Sequence, residues 1–130
     1  MSRVNVSTLE GAVLDWAVAK CQNLPIKHDP MGFGSGSEAG FWVWDDDPKG
    51  YITKIGRGYS PSTNWQLGGP IADAQNISLI SPSDGSTTCS AYVKGGECTQ
   101  NGNTLLIAAM RAYVCSVLGE NIDLPEKSFD

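Results

Sequence analysis

Between Asp47 and Asp73 the chain carries no acidic residue, yet it holds Lys49, Lys54 and Arg57, the aromatic Tyr51, Tyr59 and Trp65, and the polar Ser60, Ser62, Thr63 and Asn64. Cations, oriented donors and aromatic faces suit an anionic, nucleotide-like ligand, with phosphate on Lys or Arg and a base stacked on Trp or Tyr. Gly56, Gly58, Gly68 and Gly69 permit close backbone approach. A short helix starting at Pro61 or Ser62, with Ser60 as N-cap, would add free N–H donors and a favourable dipole end. The candidate ligand-binding residues are therefore Lys54, Arg57, Tyr59, Ser62, Thr63, Asn64 and Trp65, with Arg111 the nearest candidate outside the window. Arg111 stands among Ala108, Ala109, Met110 and Ala112, where it either snorkels to water or turns toward a sheet edge beside the window. The competing reading makes Tyr59 and Trp65 core residues and Ser60 a simple cap.

Other chemistry is thinly represented. The one histidine, His28, adjoins Asp29, but sequence neighbours need not face each other, so no dyad follows. Nucleophile-elbow, P-loop and dinucleotide fingerprints are missing. Gly32 to Ser37 is glycine-rich but follows no clear strand and opens no helix, and Asp45-Asp46-Asp47 reads as a solvated turn. Cys21, Cys89, Cys98 and Cys115 form no C-x-x-C pair, and there is no second histidine, so neither a metal site nor a cofactor is expected. Cys89 and Cys98 flank a turn and could meet across a hairpin, but reduced thiols are expected.

Composition bounds the class. A chain of 130 residues, 41% hydrophobic, predicts one globular domain. Its 9 basic and 14 acidic residues leave a net charge of −5, which opposes general nucleic-acid binding. At 18% charged residues it is also too sparsely charged for a nucleic-acid mimic. The charge is uneven: residues 1–48 carry −4, residues 49–111 carry +2 and residues 112–130 carry −3. No apolar run approaches the ~20 residues of a membrane span, and no signal peptide opens the chain, so no membrane association is expected.

The positioning elements follow from periodicity. Ser7-Thr8-Leu9-Glu10 reads as a capping box for a helix from about Thr8 to Gln22, with Leu9, Val13, Trp16, Ala17, Val18 and Cys21 on its apolar face. Gly11 is expected to serve close packing, and Val4-Asn5-Val6 to be a short strand or extended lead-in. Asn23 to Gly40 reads as a long loop. Phe41–Trp44 and Tyr51–Ile55 form one strand pair, Ile77–Ile80 and Cys89–Val93 another. A last helix, capped by Asn103 or Thr104 and stopped at Gly119, places Leu105, Leu106, Ala109, Met110, Tyr113, Val114 and Val117 on one face. The acidic tail is expected to pack through Ile122, Leu124 and Phe129. The fold class is α+β, an antiparallel sheet of about four strands flanked by two long helices.

Three stretches carry a resemblance: Leu9-Glu10-Gly11-Ala12-Val13-Leu14-Asp15-Trp16-Ala17-Val18-Ala19-Lys20, Tyr59-Ser60-Pro61-Ser62-Thr63-Asn64-Trp65-Gln66-Leu67-Gly68-Gly69-Pro70-Ile71, and Leu105-Leu106-Ile107-Ala108-Ala109-Met110-Arg111-Ala112-Tyr113-Val114. With Leu118-Gly119-Glu120 through Leu124-Pro125-Glu126, they resemble the NinX-like proteins of tailed bacteriophages. The layout is also similar to small phage α-β-α sandwich proteins. The chain departs from the family pattern in a longer insertion around Gly32–Gly50, and in Ala72-Asp73-Ala74-Gln75 where charged residues are usual. The resemblance implies a phage accessory protein acting in the cytoplasm of the infected bacterial host, and implies no reaction.

The leading expectation is a non-enzymatic protein that binds a nucleotide-like small molecule, with sequestration of a host immune nucleotide signal as one use. The alternative is an inhibitor or adaptor that engages a host protein through its acidic ends and an exposed Phe41-Trp42-Val43-Trp44 hairpin. A small hydrolase is third. Self-association into a homo-oligomer is compatible with the apolar hairpin.

Overall fold

The computed structural model describes residues 2–29, 40–44, 52–82, 88–93 and 97–125. The expected Gly32–Ser37 loop, the Asp45–Gly50 and Ser83–Ser86 turns, and Phe129 lie outside them.

The fold is α+β. Its helices are α1 (Gly11–Cys21), α2 (Trp65–Ala74) and α3 (Leu105–Leu118). Its strands are β1 (Ser2–Asn5), β2 (Ile26–Asp29), β3 (Gly40–Trp44), β4 (Ile52–Lys54), β5 (Ser78–Ile80), β6 (Cys89–Val93), β7 (Glu97–Gly102) and β8 (Asn121–Leu124). They form three antiparallel sheets, β1-β8, β2-β3-β4 and β5-β6-β7, in place of one four-stranded sheet. Both expected strand pairs are present, but each gains a third strand and stays separate. The added strands escape periodicity for a physical reason. β2 reads Ile-Lys-His-Asp and β7 reads Glu-Cys-Thr-Gln-Asn-Gly, neither with an alternating apolar face. A register shift between Ala91 and Val93, and a positive φ of 55° at Cys98, further distort the β6–β7 pairing.

The core is built around α3. Leu106, Ala108, Ala109, Met110, Ala112, Tyr113, Val114 and Cys115 are all buried, so the helix is enclosed on most sides rather than along one stripe. It packs against β6 and β7 on one side and against α1 and α2 on others. Val117, expected on the buried face, is half exposed, because the enclosure ends at Cys115 and Ser116 to Leu118 are exposed. Thr104 Oγ1 accepts from the Ile107 N–H at 3.1 Å and Gly119 caps the C-terminus with φ +96°, as the sequence predicts.

The first helix starts later than expected. Val6–Thr8 form a 3₁₀ turn capped by Asn5, whose Oδ1 accepts from the Ser7 N–H at 2.9 Å. The expected capping box is therefore not formed: Glu10 occupies the N-cap of α1 without a side-chain capping bond. Gly11 is required for conformation and not for packing. Its φ is +60°, while a Cβ there would meet nothing within 4 Å. Leu14 to Ala19 are buried, and the Trp16 ring meets Phe41 edge-on at 6.1 Å.

β1 and β8 bring the two ends of the described chain together, with Ile122 buried and Arg3 paired to Asp123 at 3.5 Å on the surface. Phe41, Trp42 and Val43 are buried, so these three residues of the expected apolar docking hairpin belong to the interior. Cys21, Cys89, Cys98 and Cys115 are free thiols. The β6–β7 register sets Cys89 opposite Gly102, and Cys98 meets Cys115 of α3 instead.

Candidate functional site

The acid-free window does not fold into one surface. Lys54 ends β4 opposite Trp42 and is partly buried. Its carbonyl oxygen accepts from the N–H groups of Arg57, Gly58 and Tyr59, which closes a tight turn and leaves Arg57 exposed. Tyr59 turns inward and is 8% exposed within the core. The reading of Tyr59 as core is therefore the correct one, and that of Trp65 is not: the Trp65 side chain is exposed.

Helix α2 begins three residues beyond Ser62. Ser60 to Asn64 make a turn in which the Ser60 carbonyl accepts from the Thr63 and Asn64 N–H groups. Asn64, not Ser60, is the N-cap, its Oδ1 accepting from the Gln66 N–H at 2.9 Å. Ser62 is 1% exposed, and its N–H donates to the Asp15 carboxylate at 2.8 Å. This donor is thus already engaged by the protein. Burial pushes the Asp15 carboxyl up to about 6, an effect that the Ser62 side chain and N–H partly offset. The Ser62 hydroxyl faces that carboxylate closely enough to lower its pKa but off hydrogen-bonding geometry, leaving Oγ without a formal partner.

Asp15 was not among the expected site residues. Its signal was present, since a carboxylate in the run Ala12-Val13-Leu14-Asp15-Trp16-Ala17-Val18-Ala19 must be either exposed or internally hydrogen-bonded.

Two clefts flank the start of α3. The first, of about 320 Å³, is lined by Ser62, Thr63 and Trp65 from one segment and by Thr104, Leu105, Leu106 and Ile107 from another. The starts of α2 and α3 thus border the same space, and each helix leaves first-turn N–H groups without an intrahelical acceptor. Neither Lys54 nor Arg57 lines this cleft.

The second cleft, of about 340 Å³, is lined by Ser7, Thr88, Thr99, Gln100, Asn101, Gly102, Asn103 and Arg111. Arg111 therefore lies apart from Trp65. Its Nε–H donates to the Leu9 carbonyl and Nη1 to the Asn101 carbonyl, both at 2.7 Å, tying α3 to the α1 entry and to β7. Desolvation lowers its pKa, and the negative charge of Glu10 opposes that shift.

His28 lies in β2 with its ring 4.7 Å from that of Phe41. Among the described residues, no three His, Cys, Asp or Glu side chains gather into a metal site, and no helix is long and apolar enough to cross a membrane. No curated protein matched the chain. The family model described as Bacteriophage P22, NinX matches residues 5–117, from the Asn5 cap to the last turn of α3, and the chain belongs to the NinX family of bacteriophage proteins.

Proposed function

We propose that this phage protein binds a small anionic, nucleotide-like ligand, without turning it over, in the cytoplasm of the infected bacterium. The observation that carries the reading is Trp65, a residue 51% exposed that lines the first cleft. A large exposed aromatic beside a concave apolar wall supports stacking of a planar ring. The adjoining starts of α2 and α3 favour the negative charge of such a ligand. Thr63 and Thr104 contribute polar groups at the same rim. Arg57, exposed on the neighbouring turn, supplies charge that attracts an anion from solution. In a phage, sequestration of a host nucleotide signal is the use such binding would serve.

The test is a thermal-shift and tryptophan-fluorescence screen against mono-, di- and cyclic nucleotides. A ligand at 100 times its Kd stabilises by about 2.7 kcal/mol. Trp65→Ala is expected to abolish that shift while leaving the unliganded melting temperature nearly unchanged. A flat screen, or a hit unaffected by Trp65→Ala, overturns the reading, and turnover of a hit would make the protein an enzyme.

A protein-binding role draws on a different feature. β5 pairs only with β6 among the described residues, and Leu79 and Ile80 are both exposed on it. An open, apolar strand edge is a template for a further strand. Recovery of one host protein by wild type, and its loss on Ile80→Lys, would favour this adaptor reading.

A further inference from the structure

The geometry points to the second cleft as a separate binding site for a small phosphate-type oxyanion, free or esterified, held by Arg111. The guanidinium is fixed in place. Nε–H and one Nη1–H are spent on the carbonyls of Leu9 and Asn101, on two different elements, so the side chain cannot swing away without losing both bonds. Among the described residues, both N–H groups of Nη2 and the second on Nη1 have no acceptor, and the residue lines a cleft of about 340 Å³. A guanidinium that is partly buried, preorganised and left with three of its five N–H groups to offer matches the two-oxygen edge of a phosphate.

The rest of the lining fits the same occupant. Apart from Gly102, the described residues that line the cleft with Arg111 bear a hydroxyl or a carboxamide: Ser7, Thr88, Thr99, Asn101, Asn103 and Gln100, whose amide is engaged with the Cys115 thiol. Such groups donate to oxyanion oxygens or to the hydroxyls of an esterified sugar, and offer nothing to an apolar ligand. Among the described residues, no carboxylate lines the cleft. Glu10 acts on Arg111 through space, while the guanidinium's own hydrogen bonds go to the Leu9 and Asn101 carbonyls. The site does not depend on Trp65, which borders the other cleft.

The experiment is a ¹H–¹⁵N titration of the full chain with inorganic phosphate and, separately, glycerol 3-phosphate, against sodium chloride at matched ionic strength. Saturable shifts are expected at the Arg111 Nε–H and the side-chain amides of Asn101 and Asn103. The tighter of the two probes identifies the free or the esterified anion as the ligand. Arg111→Lys, which keeps the charge but loses the fork, is expected to weaken binding at least tenfold. Because Arg111 also ties elements together, Asn103→Asp is the deciding variant. It sets a carboxylate in the cleft at an exposed position and is expected to abolish the shifts in a folded protein. Trp65→Ala is expected to retain them, so failure of the nucleotide reading leaves this one standing and the reverse also holds. Non-saturable shifts, shifts reproduced by chloride, or shifts unchanged by Asn103→Asp overturn the inference.

Discussion

Asp15 and Ser62 stand 47 positions apart in the chain and are joined by a 2.8 Å hydrogen bond from the Ser62 N–H to the Asp15 carboxylate, in the interior. The bond ties α1 to the turn that leads into α2, and it sets a carboxylate behind a stretch of chain that itself contains none. Its pH dependence has a definite sign. The native pKa of about 6 lies above the ordinary 3.8, so the native state holds a proton that the unfolded chain has released. Stability contributed by this group is therefore highest at low pH and falls as pH rises from about 4 to 6, by up to ~3 kcal/mol, then levels off. Asp15→Asn keeps an acceptor for the Ser62 N–H and removes the titration. Urea denaturation of both proteins at pH 4.5, 5.5 and 7.0 should show their difference growing with pH; a constant difference would contradict the assignment.

Met110 is fully buried in the enclosed helix α3. Met110→Ala is expected to cost roughly 2–5 kcal/mol through lost burial and the cavity left behind. Denaturant unfolding checks this, and a change below about 0.5 kcal/mol would place that face of α3 at an unrecognised surface.

Gly68 sits where α2 crosses the chain before it. A Cβ at this position would collide with the Pro61 carbonyl oxygen and press on Leu106 Cδ1, whereas one at Gly69 would come no nearer than 3.7 Å to Trp65. Gly68→Ala is expected to destabilise by about 1–3 kcal/mol, as overpacking does. Gly69→Ala should cost clearly less, and equal losses in melting scans would refute the close approach.

Trp65 and Arg57 are both exposed, so their substitution by Ala is expected to change folding stability by less than about 1 kcal/mol. If a nucleotide is the ligand and the basic turn reaches it, Arg57→Ala weakens binding by roughly 1.5–3 kcal/mol, as for a hydrogen bond to a charged group. Calorimetry separates the two roles: unchanged binding in Arg57→Ala removes that turn from the site and leaves Trp65 in it.

Burial pushes the Cys21 and Cys115 thiols up to about 12, with the Cys98 thiol adding to the effect at Cys115. Neither is appreciably a thiolate at neutral pH, so both should alkylate slowly in the native protein. Mass spectrometry of protein unfolded and alkylated without reductant should find four modified cysteines, and a Cys98–Cys115 bridge in such material would contradict the free thiols.

Periodicity and capping chemistry are local, and what they encode was legible in the chain. The Thr104 cap, the Gly119 stop, the body of α1 and the pairing of β3 with β4 and β5 with β6 all follow from spacing and side-chain type. The resemblance in Leu9–Lys20, Tyr59–Ile71 and Leu105–Val114 likewise lies within the matched span. β2 and β7 were not legible, because a polar strand is held by its neighbour's backbone and leaves no apolar period of its own. The candidate site divided for a related reason. Absence of acids along a sequence says nothing about acids arriving from elsewhere, and α1 delivers Asp15 to Ser62. Whether an aromatic is core or surface depends on which side of a turn it leaves the backbone, so Tyr59 is buried and Trp65, six residues later, is exposed. Arg111 could be recognised as a lone cation in an apolar helix from the sequence. Only tertiary structure could supply the Leu9 and Asn101 carbonyls that fix it, since hydrogen bonds between distant elements are decided by packing and not by the order of residues.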